Sequence, residues 1–291
     1  MTSNRPTNYT RKAYQDLTFT DDYMFCRILE NDPEICRQLL ELILDKDIMR
    51  VELADAQHSL SITSDIHSVR FDVFVNDDAG TVFDIEIQTT NTREIPRRSR
   101  YYQGIIDIDH LSTGMSYREL PDSYVIFICT FDLFGEGRAK YVFKELCTDD
   151  PMLELGSGTY KVYVNALGKR DELTVDMLAL LNYLCGEEPT SDLTREIEDK
   201  VIEAKSNKRW EREYVLFEEK LREAREAGLA EGRIEGREAG LAEGRIEGLA
   251  EGQDKMVLLF KYCKDRGALD KYEKAMEDPE YLKELLKEMG A

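Results

Sequence analysis

The sequence predicts an α/β domain, a mixed sheet flanked by helices, followed by an extended helical tail. Three observations carry this. Up to about residue 185, short runs of period-two apolar alternation are interspersed with runs of helical period. One run, Tyr124 to Cys129, is continuously apolar and β-rich, as expected of a strand buried on both faces. Beyond residue 190 the text becomes charged, helical and repetitive, and 291 residues suit one large domain plus an appendage.

In order along the chain, Phe19, Tyr23, Met24, Ile28 and Leu29 fall on one helical face, with Thr20 or Asp21 as the cap. Asn31-Asp32-Pro33 breaks that helix. Asp32 then serves as an N-cap, with Pro33 at the first helical position and Glu34 in the first turn of a second helix running to Leu44. From Val69 to Val75 the period is two, Asn76 to Gly80 reads as a turn, and Thr81 to Gln88 alternates again, which makes a hairpin. A polar stretch with Arg93, Arg97, Arg98 and Arg100 enters a helix through Tyr102, Ile105 and Ile106. Residues 140–146 and 159–166 read as further strands, and Thr174 to Leu184 as an apolar helix. The organisation expected is a domain over 1–186, a charged helix over 187–226, a Gly-Glu repeat over 227–253 and amphipathic helices over 254–291.

Composition narrows the function. Lys and Arg number 39 against 59 Asp and Glu, a net charge of −20. A globally basic nucleic-acid binder is excluded, and any DNA contact needs a local basic patch. No apolar run approaches 18 residues, so no membrane span is expected. The opening MTSNRPTNYTRKAYQD has no apolar stretch of the secretory kind. The six cysteines are scattered without C-x-x-C and are expected as reduced thiols in a cytoplasmic protein. His58, His67 and His110 lack ligand spacing with any cysteine, which argues against zinc, and no phosphate-binding glycine loop is present.

The hairpin carries the chemistry. On its second strand Asp84, Glu86 and Gln88 share one face, opposite Phe83, Ile85 and Ile87; on the first, Arg70, Asp72 and Phe74 share a face. If the loop has an odd number of residues, Asp72 lies across from Glu86, with Cβ atoms roughly 5 Å apart. Two carboxylates so close repel unless a proton or cation lies between them. A hard cation such as Mg²⁺ takes one or two carboxylates plus waters, and it can polarise a phosphoryl oxygen and acidify water. The plain alternative is a solvated acidic face of an antiparallel sheet. The arginines at 93, 97, 98 and 100 are the densest positive patch of the domain, placed to hold DNA phosphates or else simply solvated. Tyr101 and Tyr102 read as packing residues.

An Asp on one strand, a short hairpin, then apolar-Glu-apolar-Gln resembles the PD-(D/E)XK nuclease superfamily, in particular its Rpn (recombination-promoting nuclease) or PD-(D/E)XK nuclease family transposase branch. Phe19-Thr20-Asp21-Asp22-Tyr23-Met24-Phe25, Asn31-Asp32-Pro33-Glu34, Arg70-Phe71-Asp72-Val73, Asp84-Ile85-Glu86-Ile87-Gln88, Arg97-Arg98-Ser99-Arg100-Tyr101-Tyr102 and Tyr124-Val125-Ile126-Phe127-Ile128 resemble that branch in order, over residues 15 to 185. The resemblance implies a restriction-endonuclease-like core and a Mg²⁺-dependent DNA endonuclease, with Mn²⁺ able to substitute. Asp72 and Glu86 would be metal ligands, joined by an acid of the opening helix, Asp22 or Glu30. Gln88 would stand where most of the superfamily places a Lys; it can orient water or phosphate but brings no charge. The alternative is a weak or inactive nuclease fold acting as an oligomerising binding or regulatory module.

In the tail, AGLAEGRIEG at 227–236 recurs at 239–248, and glycine occupies every fourth position from 228 to 252. Seven helical glycines cost roughly 7 kcal/mol relative to alanine. The segment is therefore either a marginal helix or one whose glycines admit a partner backbone; a self-association helix, giving a homo-oligomer, or a spacer helix is expected over plain disorder. The amphipathic residues after 254 need something to pack on.

Overall fold

The computed structural model describes residues 12–53, 72–111 and 114–290. Six strands, β1 (Val51–Leu53), β2 (Val73–Asp77), β3 (Val82–Gln88), β4 (Ser123–Cys129), β5 (Lys140–Phe143) and β6 (Thr159–Asn165), form one sheet in the order β1-β2-β3-β4-β6-β5. β3, β4 and β6 run parallel, while β1-β2, β2-β3 and β5-β6 pair antiparallel. β4 lies between two parallel neighbours and is buried along its whole length, as its unbroken apolar run requires.

The expected elements are present with shifted ends. Helix α1 (Asp22–Asn31) is followed at once by α2 (Pro33–Leu44), with Asp32 Oδ1 accepting the Ile35 N–H and Pro33 at the first turn. Helix α3 (Ile95–His110) connects β3 to β4, and α4 (Val175–Leu184) is capped by the Thr174 hydroxyl. The stretch read as one charged helix is two: α5 (Asp192–Ser206) ends at Asn207, whose side chain accepts the Arg209 and Trp210 N–H groups and starts α6 (Lys208–Asp265).

The two faces of the sheet are covered differently. Val73, Val75, Phe83, Ile85, Ile87, Ile126 and Ile128 pack in one core with buried residues of α1, α2, α4 and α5. On the opposite face Val82, Val125, Phe127 and Cys129 pack with Ile95, Tyr102 and Ile106 of α3. Trp210 and Tyr214 also join the first core, and Tyr214 donates its hydroxyl hydrogen to the Lys12 carbonyl. The first compact unit accordingly reaches Val215.

The second unit runs from Leu216 to Ala291. Within it, helix α6 continues unbroken through all seven repeat glycines. The residues after 254 find their packing in one another: Leu259 and Cys263 of α6 bury against Ala275 of α7 (Leu269–Glu277) and Leu285 of α8 (Pro279–Met289). Among the described residues no helix is long and apolar enough to cross a membrane. All six cysteines are free thiols.

Candidate active site

The loop parity of the hairpin decides the site. β2 and β3 pair as Val73↔Ile85, Phe74↔Asp84, Val75↔Phe83 and Asn76↔Val82, and the Asp77 N–H donates to the Thr81 carbonyl at 3.0 Å. Three residues therefore close the turn, Asp78 to Gly80, with Gly80 at φ 82°, a left-handed conformation that suits glycine. The Asp77 carboxylate accepts the Ala79 and Thr81 N–H groups and pins the turn. One step beyond the ladder this register sets Asp72 against Glu86, as the odd loop predicts. The two carboxylates engage each other's strand: the Asp72 N–H donates to Glu86 Oε1 (3.1 Å), and the Ile87 N–H donates to Asp72 Oδ2 (3.2 Å). Arg70, Phe71, His58 and His67 lie outside the described residues.

The acidic face of β3 is not solvated, which corrects the plain alternative. Asp84 is 0 % and Glu86 2 % exposed. The cause is the β3–α3 connection. Asn91 Oδ1 accepts the Arg93 N–H, Arg93 takes a left-handed conformation at φ 62°, and the Glu94 carbonyl accepts from Arg97 and Arg98. The turn lays the first two turns of α3 across the end of β3. Arg98 and Tyr102, one helical turn apart, then face the acids.

Arg98 is the only cation bonded to this cluster among the described residues. Its Nη2 donates to Glu86 Oε2 (2.8 Å) and the Tyr102 hydroxyl (2.8 Å), and its Nη1 donates to Gln88 Oε1 (2.7 Å). The guanidinium stacks on the rings of Tyr102 and Phe127 at 5.3 and 5.4 Å. Burial opposes its charge, but the Tyr102 hydroxyl and the nearby carboxylates hold its pKa above the ordinary value. Burial, then the charges of Glu86 and Asp72, push Asp84 well above the carboxylate range, with Arg98 opposing. Burial and the Asp72 charge likewise push Glu86 up to about 8, against Arg98 and the Asp72 N–H, and Asp22 adds to the rise.

The electrostatic reach of Asp22, the first residue of α1, thus extends to Glu86. Glu30 sits at the other end of that helix, 3.7 Å from Arg27, which also pairs with Glu213. The structure brings Asp22 towards the hairpin acids and leaves Glu30 in a separate ion-pair cluster. Arg93, Arg97 and Arg100 are exposed and pair with no acidic side chain among the described residues, unlike Arg98, which turns inward. Of the two tyrosines read as packing, Tyr102 is buried and bonds Arg98, whereas Tyr101 is 41 % exposed.

The donor set suits a hard divalent cation. Both Asp84 oxygens are buried without a hydrogen-bond partner, and Asp72 and Glu86 add hard oxygen donors in mutual repulsion. No three acidic, histidine or cysteine side chains among the described residues already converge as ligands. Two carboxylates with waters are sufficient for Mg²⁺. A groove of about 1170 Å³ elsewhere in the domain is lined by Glu41, Asp45, Arg138 and Lys169 and by none of these acids. That mixed-charge groove lacks a buried carboxylate without partners such as Asp84 presents on the hairpin.

Sequence reasoning left Asp84 out of the acid cluster, and it read Tyr102 as a packing residue, which it is, without its bond to Arg98. The signals were present: Asp84 is two residues from Glu86 on the same strand face, and Tyr102 is four from Arg98. No curated protein and no solved structure shows a significant match to the chain. Residues 19–150 match the family model described as PD-(D/E)XK nuclease family transposase, and the matched span carries the hairpin acids and α3.

Proposed function

We propose that this domain is a Mg²⁺-dependent DNA endonuclease, with Mn²⁺ able to substitute, that hydrolyses phosphodiester bonds. The observation that carries the reading is the Asp72–Glu86 pair, hydrogen-bonded to each other's strand beside the orphaned carboxylate of Asp84. Asp72 and Glu86 would hold the cation, and Asp22, whose charge acts on Glu86, would be the opening-helix acid that assists. When bound, the cation supplies Lewis acidity to a phosphoryl oxygen and to water. The chain's own groups do the rest. Gln88 and Arg98 face the same end of β3, where they can orient water or the scissile phosphate. Arg93, Arg97 and Arg100 offer exposed charge, without an acidic partner among the described residues, to neighbouring DNA phosphates within an otherwise acidic protein. Water adds to phosphorus in line with the departing sugar oxygen, which takes a proton from solvent.

The test is nicking of supercoiled plasmid in Mg²⁺ by the parent and by Asp72→Asn, together with calorimetric titration of Mn²⁺. Cation binding and nicking by the parent, both lost in a folded Asp72→Asn, are expected. Equal nicking by the two proteins refutes the assignment.

One observation favours the second reading, a nuclease fold kept as a binding or regulatory module: both Glu86 oxygens already accept hydrogen bonds from protein donors. That reading expects no Mn²⁺ binding by the parent. Either reading accommodates a homo-oligomer through the repeat. Leu229, Ile234, Leu241, Ile246 and Leu249 are all more than half exposed along α6, and sedimentation of the full chain against a variant with these residues changed to Gln tests it.

A further inference from the structure

The network around Arg98 fixes something a sequence leaves open: which way Gln88 faces. An amide offers an oxygen that accepts and a nitrogen that donates, and either can be turned towards a substrate. A guanidinium only donates. Because Arg98 Nη1 lies 2.7 Å from Gln88, the amide oxygen must face Arg98, and the NH₂ group must face away. Among the described residues that NH₂ has no acceptor.

Arg98 itself cannot turn. Glu86 and the Tyr102 hydroxyl hold Nη2, Tyr102 Oη also lies 3.3 Å from Nε, and the guanidinium rests against the neighbouring rings of Tyr102 and Phe127. Of its five N–H groups, one on Nη1 has no acceptor among the described residues. The side chain is 32 % exposed, whereas that of Glu86 is 3 %. The open edge of this network therefore presents N–H groups alone: those of the Gln88 amide and one of the guanidinium. Such an edge suits an anionic oxygen and cannot accept a proton from water.

We propose that Gln88 and Arg98 form one donor-only subsite for a non-bridging oxygen of a DNA phosphate, with Arg98 supplying the charge and Tyr102 acting as the positioning residue that locks it. This rests on the nuclease reading and narrows it. Gln88 grips phosphate and does not orient the attacking water through its oxygen. The neutral residue at position 88 is then compensated from the helix, because the charge it lacks sits on the guanidinium bonded to it.

The experiment compares the parent with Gln88→Glu, Arg98→Lys and Tyr102→Phe. Two readouts are needed: plasmid nicking in Mg²⁺, and fluorescence anisotropy of a DNA duplex with metal-free protein in EDTA. Gln88→Glu keeps the size and the acceptor facing Arg98 but removes the donors. It is expected to weaken DNA binding about tenfold and nicking about 100-fold. Arg98→Lys keeps the charge but cannot bridge Glu86, Gln88 and Tyr102 together, so nicking falls about 100-fold with DNA affinity changed less than threefold. Tyr102→Phe removes both bonds from the guanidinium to the hydroxyl and lowers kcat by about tenfold with KM unchanged.

Gln88→Glu with the parent's affinity and rate overturns the donor assignment. Arg98→Lys with the parent's rate overturns the locked fork. In both results the parent still cuts, so the nuclease reading stands without the subsite. A parent that neither binds nor cuts DNA overturns both together.

Discussion

The sheet domain and the repeat segment of α6 obey different rules. In the domain, nearly every residue of β3 is buried, and its meaning comes from what it touches: Ile85 from an apolar core, Glu86 from Asp72 and Arg98. In α6, residues 219–255 are all exposed, and the repeat glycines have open space where a Cβ would project. There, intrinsic helix propensity is what remains. Substitutions should therefore damage the domain according to their contacts and improve the repeat according to propensity alone.

The largest effect separates chemistry from folding within the domain. Asp72→Asn preserves an oxygen to accept the Ile87 N–H but removes the charge. Nicking should fall at least about 10³-fold, equivalent to roughly 4 kcal/mol in the barrier, with little change in thermal unfolding. On the other face of the same hairpin, Ile85→Ala should cost about 3 kcal/mol of stability, read from denaturant midpoints. A smaller loss would mean that the core collapses around the cavity.

The third effect is a pH dependence that the repeat cannot share. Burial and neighbouring acids raise Glu86 in the folded state to about 8, from an ordinary carboxylate value of 4.5 in the unfolded chain, and Asp84 is raised as well. Between those limits the folded protein holds protons that the unfolded chain has released. Stability is then fully present below about pH 4.5 and is lost as pH rises towards about 8. Without divalent cation the domain should lose about 2 kcal/mol or more between pH 5 and pH 8. Mn²⁺ should restore it, because cation binding competes with those protons. Asp84→Asn should flatten the slope and gain about 1 kcal/mol at pH 8 in EDTA. A stability that rises from pH 5 to pH 8 without cation would contradict the buried-acid site.

Legibility follows the same division. The Asp72–Glu86 register could be read because side chains alternate with period two and only loop parity was open. The Asp32-Pro33 helix start and the doubly buried β4 were readable for similarly local reasons. What was not legible depends on the docking of distant chain. Asp84 is buried in the middle of the sheet on the face that α3 packs against, and Arg98 turns inward to Glu86 after a connection in which Arg93 is left-handed. The break at Asn207 was likewise invisible within a uniformly charged stretch, since it is set by one side chain capping α6 while Trp210 and Tyr214 seat in the core. Residue types pointed to the chemistry, and tertiary contact assigned the partners.

The smallest effect tests the repeat directly. A Cβ at Gly240 meets nothing, and its backbone is ordinary helix within α6. Gly240→Ala should therefore stabilise the local helix by about 1 kcal/mol, and Gly236→Ala combined with it by about 2 kcal/mol, since substitutions without shared contacts add. Hydrogen exchange across residues 227–253 should slow about fivefold for the first change, while exchange in β3 and β4 stays the same. The sign also decides what the four-residue glycine spacing is for. If a second copy of the chain packs on this ridge, each added methyl intrudes on its backbone, and exchange speeds up while sedimentation shows a smaller species. Slower exchange with unchanged sedimentation would mean that the glycines keep a solvated helix pliable and that self-association, where it occurs, uses the leucines and isoleucines between them.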